Sequence, residues 1–174
     1  MTTTFIKDSL TIFLSALTIA SCGQTANRKQ PNKVTDFATV QKVDTSLIAI
    51  IPFDHSRDWL FDKSYTAATL SGSDIKVIET LLINCVTEYN RKLSDENKKY
   101  FSIDMDKEKY KRQYVAVTNK KGEKEVWINC LCQTHGDNWK TSLIMVDDGG
   151  SCFFNLKINL SKEKCYDLSV NGLA

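Results

Sequence analysis

The sequence predicts an α+β fold: one helix packed on a curved antiparallel meander sheet of about five strands. Three observations predict it. Apolar residues recur at three-or-four spacing over one long stretch only, from about Gly72 to Leu93. From residue 110 the period drops to two, in runs separated by turn sequences. A lone apolar run, Leu47-Ile48-Ala49-Ile50-Ile51, precedes the helix and stops at Pro52.

Each element follows from its residues. Branched side chains and a proline stop make 47–51 a buried strand. Residues 53–61 form a loop with aromatic anchors, and 62–69 continues it. Ser71 caps the helix, and Asp74 three residues on completes a capping box. Ile75, Ile78, Leu82, Cys85, Val86, Tyr89 and Leu93 form its buried stripe, which Val77 and Leu81 widen. Residues 94–106 are a polar connection. Tyr110 to Thr118 and Glu125 to Cys132 are strands joined by the turn Asn119-Lys120-Lys121-Gly122. After a polar loop at 133–139, Leu143-Ile144-Met145-Val146 reads as the third strand of this set. Asp147-Asp148-Gly149-Gly150 is then a hairpin turn. Ser151 to Leu160 alternates cleanly, with Cys152, Phe154, Leu156, Ile158 and Leu160 on one face. A last strand spans Cys165 to Val170. Its pattern turns Tyr166, Leu168 and Val170 inward and Cys165 to the polar side. Short connections between strands give a meander with the helix on its apolar face.

The chain has 174 residues and a formal charge of +2, from 23 basic and 21 acidic side chains. That balance gives no electrostatic case for nucleic acid. Seven scattered glycines include no phosphate-cradling loop. No cofactor is expected.

Ahead of the domain lies a segment of a different kind. Lys7 and the amino terminus supply weak positive charge, and Leu10 to Ala20 is an apolar run of signal-peptide length. It falls short of the roughly 20 apolar residues that span a bilayer. Ile19-Ala20-Ser21-Cys22 then places an aliphatic residue and two small residues before a cysteine. This resembles the lipobox of bacterial lipoproteins. The resemblance implies a signal peptide over 1–21, cleavage before Cys22, a diacylglycerol thioether on Cys22 and acylation of the new amino terminus. Two or more acyl chains make membrane anchoring stable. Residues 22–45 are the lipidated cysteine and a polar tether, and 46–174 a single domain. Gly23 directly follows Cys22 with no acidic run after it, which by similarity to lipoprotein sorting favours the outer membrane, facing either the periplasm or the surface.

The six cysteines are Cys22, Cys85, Cys130, Cys132, Cys152 and Cys165. With lipid on Cys22, five remain, and an odd number cannot all pair within one chain. Cys85, Cys130, Cys132 and Cys152 all fall on predicted core faces. They are either core thiols or disulfide partners: Cys85 with Cys130 or Cys132, or a cross-strand pair with Cys152. Cys165, beside Lys164 on the polar side, reads as a bystander thiol. Cys130, Cys132 and His135 have ligand chemistry, but the two cysteines share an apolar face and lack a fourth partner in register. No metal site is expected. Asp54, His55, Ser56 and Asp58 are adjacent residues of one loop, without a nucleophile-elbow pattern. No catalytic residue is expected.

Strand–helix–strands order is similar to cystatin-like and NTF2-like sheets. Gln113 and Val115 match two positions of the cystatin inhibitory hairpin, while Val117 stands where that motif has glycine. The functional expectation is a non-enzymatic binding or structural module of the bacterial envelope. It is held to the membrane by Cys22 and meets an envelope protein or small ligand through the sheet's open face or the loops of Trp59 and Trp139. Its alternatives are a cysteine-protease inhibitor and a small-ligand pocket.

Overall fold

The computed structural model describes residues 43–173. The expected signal segment, Cys22 and nearly all of the expected tether therefore lie outside the described residues. Six strands and two helices build the domain: β1 (Ile48–Ile50), β2 (Thr66–Ala67), α1 (Gly72–Lys92), α2 (Asp95–Phe101), β3 (Lys111–Thr118), β4 (Lys124–Leu131), β5 (Phe153–Asn159) and β6 (Lys164–Val170). The sheet order is β1-β3-β4-β5-β6, and β2 pairs with β3 beyond the end of β1.

Helix α1 starts on a reciprocal capping box. The Asp74 amide donates to Ser71 Oγ at 3.1 Å, and the Ser71 amide donates to Asp74 Oδ2 at 2.8 Å. Arg91 and Lys92 occupy its last turn, where cations complement the helix dipole. Ile78, Leu82, Cys85 and Val86 are buried against the sheet, whereas Val77 points to solvent and adds nothing to the stripe. Ser94 caps a second short helix where a polar connection was expected. Asp95 and Glu96 sit in its first turn and Lys98 and Lys99 in its last. Seven residues with no buried side chain carry no periodic signal. Asn90 clamps the return, donating to the Ile103 carbonyl at 2.7 Å and accepting from its amide at 2.9 Å.

Besides the short strand β2 inside the 62–69 segment that reads as loop, the sheet departs from an antiparallel meander in two ways. First, β1 runs parallel to β3, pairing Ile48 with Arg112 and Ile50 with Tyr114. The long passage through the 51–65 coil and both helices lets the chain return in the same direction. Second, the expected strand at 143–146 is coil, and β4 pairs directly with β5. Strands β3 to β6 are otherwise antiparallel neighbours.

Strand register sorts side chains into rows. On the α1 face, Arg112, Cys130, Phe154 and Val170 align, as do Ala116, Val126, Ile158 and Cys165. These rows and α1 enclose one core with Tyr114, Ile128 and Leu156. The opposite face is also covered. Ile51, Phe53, Leu60 and Phe61 from one coil pack there with Trp139 from another, over Val115, Val117, Trp127, Leu131 and Phe153. The expected open sheet face is thus largely occupied by coil.

Strand β6 contains a register shift opposite Asn155–Lys157, with Asp167 at φ +52°. A bulge inserts one residue and reverses alternation beyond it. Cys165, Leu168 and Val170 therefore pack against the helix-side core. Tyr166, opposite Lys157, goes to the other face. This corrects the inward reading of Tyr166 and the polar-side reading of Cys165.

Candidate functional site

The cysteines settle into two bridges. Cys85 on α1 joins Cys165 on β6, with Cα atoms 6.4 Å apart. Cys132 joins Cys152 across 5.0 Å and ties the two ends of the β4–β5 connection. Cys130 is a free, buried thiol. Burial pushes its pKa up, so it stays protonated and poorly nucleophilic. With Cys132 bonded to sulfur, the Cys130, Cys132 and His135 set does not converge on a metal position.

Beside the first bridge lies a groove of about 480 Å³ between α1 and β6. Leu81, Tyr89 and Leu168 line it together with Cys85 and Cys165. Lys92, Glu163 and Lys164 also line it. Its size falls within the usual range for small-ligand sites.

Polar chemistry elsewhere is internally engaged. In the helix-side core, the Tyr114 hydroxyl donates to Glu79, and Arg112 Nε lies 3.0 Å from the same carboxylate. The Nε–H is not aimed at Glu79. The contact is a charge pair, while Arg112 also donates through a terminal guanidinium nitrogen to the Tyr110 carbonyl at 2.9 Å. Burial, then the Glu79 carboxylate, hold Tyr114 well above the ordinary tyrosine range. At the other end of the sheet, buried Glu125 accepts from Asn119 at 2.6 Å, from Asn159 at 3.3 Å and from the Tyr166 hydroxyl. Neighbouring Glu123 is depressed to about 2 by bonds from Asn119, Lys162 and Asn159.

A third polar set explains the missing strand. Gln113 Nε2 donates to the Trp139 carbonyl at 2.5 Å and to the Ser142 carbonyl at 2.7 Å. Its Oε1 accepts from the Ile144 amide at 3.0 Å and from Asn129 at 3.1 Å. Asn129 donates in turn to the Ile144 carbonyl at 2.7 Å. Two side-chain amides thus serve the backbone of 139–144, which needs no neighbouring strand.

Of the two tryptophans expected to mark contact loops, Trp59 is 59% exposed and meets Trp127 edge-on at 6.0 Å. Trp139 is 1% exposed and belongs to the coil-side core, with the Lys111 and Lys140 ammonium groups over its ring. The structure does not bring the two together as one patch. His55 Nδ1 contacts Asp58 at 3.0 Å in an exposed turn, and Ser56 donates to Asp54 instead. Gln113 and Val115 are buried in mid-strand, away from the β3–β4 turn. Sequence reasoning missed Asn129 and Glu125. Their signal was a polar residue inside an otherwise apolar strand. Among the described residues, no helix is long and apolar enough to cross a membrane. Comparison with protein-family models, curated proteins and solved structures gave no match.

Proposed function

We propose that this chain is an exported, lipid-anchored binding module of the bacterial envelope. The observation that carries the reading is the pair of disulfides within one domain. Such bonds persist in oxidising compartments outside the cytosol. That agrees with the signal-like segment before Cys22. Neither bridge uses Cys22, the residue that the anchor reading acylates. The groove beside Cys85–Cys165 and exposed Trp59 are the contact surfaces, for an envelope protein or a small apolar ligand. A non-enzymatic role is favoured because Glu79, Glu123 and Glu125 are engaged in internal bonds. Burial of Gln113 and Val115 speaks against a hairpin-tip protease inhibitor.

The test is Cys22→Ser in the full chain. The variant is expected to leave the membrane fraction and lose metabolic labelling by a fatty acid, while wild type floats with outer-membrane vesicles. Retention of the variant at the wild-type level would refute the anchor.

A further inference from the structure

The connection 132–152 crosses the coil-side face as a strap held at three points. Cys132–Cys152 closes its ends, and Gln113 with Asn129 holds its middle. The third holder is Asn171, just past β6. Its Nδ2 donates to the Val146 carbonyl at 2.5 Å and to the Asp148 carbonyl at 3.2 Å. The Gly150 amide donates to the Gly172 carbonyl at 2.9 Å beside it.

This latch is built on a chemically labile dipeptide. Asn171-Gly172 is the sole Asn-Gly pair in the chain, and Asp148-Gly149 the sole Asp-Gly pair. The two meet through the 3.2 Å bond. Glycine after asparagine leaves the following backbone nitrogen unshielded, because there is no Cβ. Gly172 is exposed, and among the described residues its N–H donates to no acceptor.

We propose that Asn171 is a modification site, where spontaneous deamidation releases the strap. The Gly172 nitrogen attacks Asn171 Cγ and forms a C–N bond. The Cγ–Nδ2 bond breaks, and the nitrogen leaves as ammonia, taking the Gly172 amide proton. Water then opens the succinimide at either carbonyl, yielding aspartate or isoaspartate. The net change is one water consumed and one ammonia released, with no oxidant or reductant.

The strap controls this chemistry, because the departing Nδ2 is the atom that makes both latch bonds. A closed strap restrains the amide, and local opening frees it. Reclosure is then blocked. The product has an acceptor facing two carbonyl oxygens where a donor stood, and a new negative charge near Asp147 and Asp148. Since Cys132–Cys152 closes the strap, loss of that bridge accelerates the step.

The experiment incubates the full chain in mildly alkaline buffer. Peptide mass mapping follows every asparagine, and ion exchange follows the added negative charge. Asn171 is expected to convert ahead of the other asparagines, several-fold faster in Cys132→Ser/Cys152→Ser and much more slowly in Gly172→Ala. An Asn171 that stays intact while other asparagines convert, or a rate indifferent to the bridge, overturns the site. Asn171→Asp tests the latch by itself, even if the bridge-less chain unfolds. Its amide exchange is expected to rise at Gly150, whose N–H is held on the Gly172 carbonyl beside the latch, and stay unchanged in β3–β5. Wild-type protection of the Gly150 amide overturns the release.

Discussion

The two faces of the sheet are covered by different means. On one, a regular helix lays a periodic apolar stripe over apolar rows. On the other, two stretches of coil lie over Trp127, Val115 and Leu131, and side chains satisfy part of the coil backbone. A helix makes its own backbone hydrogen bonds, so its face needs only shape and hydrophobicity. A buried coil must borrow partners. The helix face is therefore tolerant of conservative change, and the coil face depends on a few irreplaceable amides.

The largest effect should come from Cys85–Cys165, one of two bridges that lie one per face. Cys85–Cys165 spans a sequence separation of 80 and Cys132–Cys152 one of 20. On a chain-entropy basis their removal costs about 4.5 and about 3 kcal/mol respectively. Denaturant unfolding of the two double-alanine variants checks the order. A smaller loss for Cys85→Ala/Cys165→Ala would mean that helix packing alone fixes α1.

Gln113→Leu sharpens the contrast further. It keeps bulk but strands the Trp139 and Ser142 carbonyls and the Ile144 amide. With each buried orphan costing about 1–3 kcal/mol, the expected loss is about 4 kcal/mol. Leu82→Ala, at the centre of the helix face, should cost about 3 kcal/mol through its cavity. The distinguishing readout is local: near-UV dichroism of Trp139 should collapse in the first variant and persist in the second.

The smallest effect is on pH dependence at the sheet end. Glu123 titrates near 2 when folded, below its ordinary 4.5. Its stabilisation is complete above 4.5 and is lost as pH falls from there towards 2. Asp74, lowered chiefly by its bond from Lys124, titrates in the same direction. Glu123→Gln should flatten the acid limb of a stability–pH curve without abolishing it. An unchanged limb would show that the Asn119, Lys162 and Asn159 bonds do not favour the carboxylate.

The two faces also differ in how legible they were. Helix α1 was readable because its stripe and its Ser71–Asp74 cap are both local in sequence. Strand β5 was readable because alternation survives burial on both faces. The 143–146 segment was misread, since an apolar run looks the same whether its backbone bonds a strand or Gln113. Cys165 was misassigned by one inserted residue at Asp167, which changes parity without changing composition. The direction of β1 has no signature at all, because a period of two is the same read either way. The cross-strand pair with Cys152 was legible, but Cys85 bonds Cys165 and neither Cys130 nor Cys132, because Cys85 meets β6 only once the bulge is known.

Strand β1 has a mechanical consequence. It lies at the sheet edge opposite β6 and holds β3 through three residue pairs. Both bridges join residues well downstream of it. Tension applied from the amino-terminal side of β1 loads this short parallel seam first. The edge can peel back and rezip while the cross-linked remainder keeps its shape. β1 is thus expected to act as a shock absorber, yielding before α1 and the groove beside β6 feel the pull, at the expense of the coil-side contacts of Ala49.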